Sequence, residues 1–350
     1  MKRMIWILLV TVTMITLGSV CLGEGGSWAT LNVPNSASVL GIDGNNVVGF
    51  YVNATGSHGL LYDYVGKTLT KLDVPGAQGT VACGVSGKNV VGFFYDSAGN
   101  AHSFLYNGTA WAVIDKPGTN NTCAYGVDGN KVVGTYGGPC GSTTHAFLYD
   151  HVAKTWTNID KPGAIMTTPY GVSGNNVVGY YDSSSGPHGF LYNGTTWTTL
   201  DMPGAISTCP YGVSGNNIVG FYSLGDGSDW HGFLYNGETW TTIDMPGAVS
   251  TLPGGISGNN IAGIYMVGYY THSFLYTMPD TMPGPSLKIG VVNGTVAMSF
   301  NGAPGSTHNI EASSDLVHWS VVATVTVDAN GKGTCSQPAT GPARYYRIPN

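Results

Sequence analysis

A segment reading Gly-Val/Ile-Ser/Asp-Gly-Asn/Lys-Asn/Lys-Val/Ile-Val/Ala-Gly recurs six times, ending at Gly49, Gly92, Gly134, Gly179, Gly220 and Gly263. Successive copies lie 43, 42, 45, 41 and 43 residues apart. Two further motifs keep the same register. His-Gly/Ser/Ala-Phe/Leu-Leu-Tyr begins at His58, His102, His145, His188, His231 and His272, and Trp/Leu-x-x-Ile/Leu-Asp/Asn-x-Pro begins at Trp28, Leu69, Trp111, Trp156, Trp197 and Trp240. Three motifs in register mean a repeat architecture, in which each unit buries its apolar face against the next.

Each unit holds four strand-like pieces, in the fourth copy 170–174, 176–182, 188–192 and 196–201. Ser-Gly-Asn-Asn joins the first two and Asn193-Gly194 the last two, both being turns whose residues accept positive φ. In the third piece His188, Phe190 and Tyr192 share one face while Gly189 and Leu191 share the other, the period-two alternation of a strand. Pro203 and Gly204 then suit the centre of a type II turn. Four short antiparallel strands in about 43 residues is the size of one propeller blade.

The ends of the array decide between a ring and an open solenoid. The sixth copy stops after His272–Tyr276 and lacks its fourth strand, while Trp28-Ala-Thr-Leu-Asn-Val-Pro34 matches Trp240-Thr-Thr-Ile-Asp-Met-Pro246. The N-terminal segment therefore supplies the missing outer strand of the last blade. Closure in that way removes exposed sheet edges. The fold expected is all-β, a six-bladed β-propeller over 28–276 closed by an N-terminal outer strand. Gly84, Gly126, Gly171, Gly212 and Gly255 place the first strand of each blade innermost, where the sheets converge on the axis.

Thr277-Met-Pro-Asp-Thr-Met-Pro-Gly-Pro285 breaks the pattern and reads as a linker at 277–285. The remainder, 286–350, has alternating β-favouring runs at 320–328 and 344–348, and suggests a small β-sandwich of five to seven strands.

Charged residues are only 9% of the chain, against 53 glycines. Lys2 and Arg3 precede the apolar run from Met4 to Val20, and small residues follow around Gly23, so 1–23 reads as an export signal. A lipid anchor through Cys21 and an uncleaved anchor are the alternatives. The expected location is the cell surface or beyond, with no transmembrane span in the mature chain. Removing Lys2 and Arg3 takes the 13 basic residues to 11, against 19 acidic ones. No arginine lies between Trp28 and Tyr276, which excludes a nucleic-acid partner, since phosphate binding needs clustered cations. Export implies an oxidising compartment, in which Cys123 and Cys140, within one repeat, are the candidate disulfide; free buried thiols are the alternative.

His145-Ala-Phe-Leu-Tyr-Asp150, with the preceding Gly-Val-Asp-Gly-Asn-Lys-Val-Val-Gly, resembles the HAF family of extracellular repeats, and the likeness runs through all six units. The Tyr149-Asp150…Trp156 spacing also looks like kelch repeats, although the kelch glycine doublet appears only at Gly137-Gly138. Ala312-Ser-Ser-Asp-Leu-Val-His-Trp319 and the Ala-Arg-Tyr-Tyr-Arg-Ile ending resemble a fibronectin-III-like module of secreted bacterial proteins. These resemblances imply export, a propeller-like fold, and attachment or spacing by the C-terminal module. They imply no activity.

The six histidines are expected to serve structural hydrogen bonds, because equivalent positions around a ring lie far apart. Asp73, Asp115, Asp160, Asp201 and Asp244, with Asn32 in the sixth place, are expected to bond to amides of the adjoining Pro-Gly turns. Gly194-Thr-Thr-Trp197 and Gly237-Glu-Thr-Trp240 reproduce half of the sialidase turn, but an arginine-free ring excludes that chemistry. No nucleophile elbow, phosphate loop or zinc-protease helix is present, so no catalytic residue, metal or cofactor is expected.

Function should lie where the repeats disagree, in the second-to-third-strand loops 52–57, 136–144, 223–230 and 266–271. Ser223-Leu-Gly-Asp-Gly-Ser-Asp-Trp230 combines carboxylates with an aromatic platform, making Asp226, Asp229 and Trp230 the candidate ligand-binding residues. The expected role is a secreted, non-catalytic binding or adhesion module for extracellular glycan or surface protein. The alternatives are a polysaccharide-active hydrolase or lyase using loop aspartates, and a structural cell-surface component.

Overall fold

The computed structural model describes residues 26–34, 36–138, 145–225, 229–279, 288–292, 295–301, 307–313, 319–328, 332–338 and 345–348. The proposed signal, Cys21, Cys140, Asp226 and most of the linker lie outside them. Six four-stranded antiparallel sheets follow one another around a ring. Blades one to five span 38–72, 79–113, 122–158, 166–199 and 207–242, each with its strands in sequence order.

Blade six takes three strands from its own repeat, Ser250–Ser257, Asn260–Val267 and Tyr270–Thr277, and its outer strand from Ser27–Thr30. The register is Trp28 opposite Tyr276 and Thr30 opposite Phe274, and the Leu31 N–H donates to the Ser273 carbonyl at 2.9 Å. The borrowed strand repeats the packing of the other blades. Trp28 meets the Phe274 ring edge-on at 5.1 Å, as Trp111, Trp156 and Trp240 meet Phe104, Phe147 and Phe233. Head joins tail as the sequence requires.

The wedges between blades are filled by the same motif positions each time. Phe104, Phe147, Phe190, Phe233, Phe274 and, in blade one, Leu60 are fully buried among Val and Ile residues of the second strand. The glycines near the axis are there because nothing larger fits. A Cβ on Gly126 would lie 2.4 Å from the Tyr170 carbonyl oxygen, and one on Gly255 would lie 3.1 Å from the Cα of Gly41, back in blade one.

A second ring of contacts ties blade to blade. The Ser/Asp of five signatures accepts a hydrogen bond from the turn glycine of the next blade, as in Gly87 N–H to Asp43 Oδ2 at 2.7 Å and Gly174 N–H to Asp128 Oδ2 at 2.6 Å. Gly44 N–H to Ser257 Oγ, at 3.1 Å, closes the circle.

Innermost strands begin earlier than the repeat pattern suggests, at Met166 in blade four, and outer strands are shorter, Trp197–Thr199. At the other end Thr277 still belongs to the sheet and Met278 is buried, so the stretch read as linker starts inside blade six. Beyond it the described residues form two three-stranded sheets. Their apolar sides meet in one cluster, Val296, Met298 and Phe300 from one with Ile310 and Val325 from the other.

Candidate functional site

The histidines and aspartates, separate motifs in the sequence, are one device in space. In five blades the His Nδ1–H donates to the Asp carboxylate just past the end of the neighbouring strand, at 2.8 Å for His58–Asp73, 2.6 Å for His102–Asp115 and 2.7 Å for His231–Asp244. His145–Asp160 and His188–Asp201 are alike. The other carboxylate oxygen accepts the backbone N–H of the residue after the histidine in four of these blades, as Ser103 N–H to Asp115 Oδ1 at 2.9 Å. Each of the six imidazoles also packs against an aromatic ring directly across the sheet, from Tyr51–His58 to Tyr265–His272. The expectation that the aspartates bond to the turn amides is thus corrected: their carboxylates bond to the histidines and to strand N–H groups instead. A threonine takes that place, as Thr122 Oγ1 does for Lys116 N–H and Thr251 Oγ1 for Met245 N–H, which frees the carboxylate for the histidine.

His102 has a carboxylate on each side. Its Nε2 lies 3.3 Å from Asp96 Oδ2, and the bond to Asp115, then that to Asp96, raises its pKa. Asn100, through its side-chain and backbone N–H groups, is the main cause holding Asp96 down at about 2. A device that recurs in five blades is explained by the fold they share.

The positions that differ between blades point elsewhere. In every innermost strand the register slips by one residue, between Val39 and Gly41 in blade one and at the equivalent place in the other five. The residue inside each bulge is Leu40, Cys83, Tyr125, Tyr170, Tyr211 or Gly254. A bulge re-aims its extra side chain, and here all six line the axial channel. The narrow part of that channel has a volume of about 150 Å³. It widens into a basin of about 450 Å³ that also reaches Ser57 and Tyr95, at the ends of second-to-third-strand loops.

The basin is lopsided. Tyr125 and Tyr170 have ring centroids 5.3 Å apart, and Tyr170 stacks on Tyr211 at 3.9 Å with their planes 14° apart. Tyr211 continues to Phe221 at 5.3 Å, and Phe221 to Trp230 at 5.1 Å. The bulges of the opposite arc carry Gly254 and Leu40, with Phe50 of blade one beside them in the basin wall. Burial pushes the phenols of Tyr125, Tyr170 and Tyr211 upward, so they stay neutral. Burial likewise raises the Cys83 thiol, which leaves it a poor nucleophile. Among the described residues, no charged side chain lines this basin. Such a surface suits an uncharged ligand with an apolar face.

Of the residues singled out in the sequence, Trp230 falls at the end of this aromatic arc. Asp229 is exposed on its loop, and Asp226 lies outside the described residues. Cys123 is disulfide-bonded, while its expected partner Cys140 lies outside the described residues; Cys83 and Cys209 are free. The described residues contain no group of three or more His, Cys, Asp or Glu placed to hold a metal ion. The bulge tyrosines went unremarked in the sequence. Their signal is the position before the signature glycine, which reads Leu, Cys, Tyr, Tyr, Tyr and Gly in successive copies while the glycine after it never changes.

No family model matches the chain, and no curated protein matches it. Solved structures do. A protein assigned as TolB from Agrobacterium tumefaciens superposes with a TM-score of 0.50 at 13% identity, over 71% of this chain and 92% of that one. The β-propeller domain of the Trilobed protease from Pyrococcus furiosus, described as having an open velcro topology, gives 0.45 at 9%, over 88% and 97%. An acylaminoacyl peptidase from Pyrococcus horikoshii gives 0.44 at 10%, over 76% of this chain and only 49% of the peptidase. The likeness is one of fold. At 13% identity the TolB superposition bears on the fold alone, and none of these neighbours carries an activity across to this chain.

Proposed function

We propose that this chain is a secreted, non-catalytic binding or adhesion module, with the axial basin as its ligand site and the C-terminal sheets as a fibronectin-III-like spacer. One observation carries the reading: six equivalent bulges deliver unequal side chains, so a symmetric scaffold presents a one-sided, uncharged platform of stacked tyrosines. Pockets of 300–1,000 Å³ lined by aromatics with a few polar groups are the usual form of small-ligand sites. The His-Ala-Phe-type repeat and the N-terminal apolar run support export, and a glycan terminus or an uncharged protein segment fits the basin.

The test is retention of ligands from a glycan array and from extracellular protein extracts by the full chain. Tyr170→Ala and Tyr211→Ala should each weaken binding by about 2 kcal/mol, roughly 30-fold, the cost of losing a central aromatic contact. Equal retention by both variants would remove the basin from the reading. Turnover of a polysaccharide that disappears in Asp229→Asn would replace binding with catalysis.

A further inference from the structure

The corner where the ring closes keeps the turn proline but departs from the other five at several positions that they hold constant. Asn32 stands where the five others have the aspartate that receives the histidine. His272, its counterpart in blade six, makes no hydrogen bond among the described residues, although it stacks on Tyr265 at 5.2 Å. Ala37 stands where the other corners have the threonine that caps the turn. The connection from the turn proline to the signature glycine is also shorter, Pro34 to Gly41 against Pro203 to Gly212 in blade four. The chain makes that short turn with Ser36 at a φ of 64°, a left-handed backbone that a serine adopts only when its surroundings impose it.

Those changes leave a pocket of about 550 Å³ between the turn and the Tyr270 end of the third strand. Above it, the hairpin between the second and third strands of blade six carries two tyrosines side by side, Tyr269 in the turn and Tyr270 at the start of the third strand. Tyr269 is 99% exposed and Tyr270 is 75% exposed. Rings of that size are not left in water by packing needs, and both line the pocket. The polar groups beside them are the Asn32 amide, the Ser36 and Ser38 hydroxyls and the His272 imidazole. Among the described residues, no carboxylate or amine lines it.

We infer that this corner is a second binding site, and that its ligand is a neutral oligosaccharide. A pyranose ring has an apolar C–H face, which a tyrosine ring covers, and a rim of hydroxyls, which amide, hydroxyl and imidazole groups satisfy without charge. A uronic acid or a sulfated sugar would bring a charge that finds no partner. The five other corners cannot do this, because their histidine is already bonded to an aspartate. The site is separate from the axial basin and stands or falls without it.

Affinity electrophoresis of the full chain through gels containing soluble β-glucan, galactomannan or amylose tests the inference. At least one gel should retard the wild type, and the double variant Tyr269→Ala/Tyr270→Ala should lose about 10-fold or more of that affinity. Both substitutions lie at an exposed hairpin tip, so the melting temperature should hold, and Val152→Ala, an exposed residue outside both pockets, should leave retardation in place. Unchanged retardation of the double variant would overturn the inference. So would retardation lost only in Tyr170→Ala, which moves the sugar to the axis, or a wild type that no neutral gel retards while a peptide array binds it.

Discussion

At the level of single residues, the axis is where substitutions should be felt most. Gly126→Ala places a methyl group against the Tyr170 carbonyl, which belongs to the backbone of the next blade and cannot swing aside. The expected loss is about 1–3 kcal/mol in urea unfolding, the usual cost of overpacking. Gly225→Ala, with nothing within 4 Å of its Cβ, should be silent in the same assay. Charge behaves differently at the rim. Asp96, held near 2 against an ordinary 3.8, contributes stability that is complete above about pH 4 and is lost as pH falls through 2. His102 has the opposite sign: its contribution is complete below the ordinary 6.5 and disappears as pH rises past its raised value. In an NMR titration, Asp96→Asn should bring the His102 midpoint down, and an unmoved midpoint would assign the whole rise to Asp115.

The blade is the next scale, and its signature device is the aromatic–histidine–aspartate stack spanning three strands. Removing the carboxylate with Asp244→Ala leaves the His231 ring and the Gly232 N–H without their acceptor. A loss of about 1–3 kcal/mol in unfolding free energy is expected. The reverse change, Asn32→Asp, gives blade six the pair that its neighbours have, and should raise stability by about 1 kcal/mol. Both are read from denaturation midpoints. The histidine and aspartate motifs were each plain in the sequence, and so was a structural role for the histidine. Their union was not, because adjacent strands bring residues 13 or 15 apart into contact only once the hairpin register is known. Turn chemistry alone favoured an aspartate bonded to the Pro-Gly amides, and Thr122 and its equivalents, four residues before the signature glycine, took that role unannounced.

For the whole molecule, the join between head and tail governs cooperativity. Trp28 holds the borrowed strand to Phe274 and Tyr276, at 5.1 and 4.6 Å between ring centroids. Being half-buried, it should cost about 2 kcal/mol on replacement by alanine, near the low end for large aromatic truncations. Hydrogen exchange should then rise first in Tyr270–Thr277, the strand it covers; a uniform rise over all blades would show that the ring opens nowhere in particular.

The repeat, the strand count, the hairpin turns and the closure of blade six by Trp28–Pro34 are consequences of local pattern, since a motif written six times names its own partners. What only the tertiary structure decided is the content of the axis and of the closing corner. A one-residue slip in each innermost strand turns Tyr125, Tyr170 and Tyr211 inward, and period-two alternation cannot foretell a slip, because the bulge is set by how six sheets crowd around one line. In the same way, Asn32, Ala37 and a connection two residues shorter are minor departures along the chain. They become a pocket beneath Tyr269 and Tyr270 only where the first turn meets the last blade, at a distance of some 240 residues in sequence.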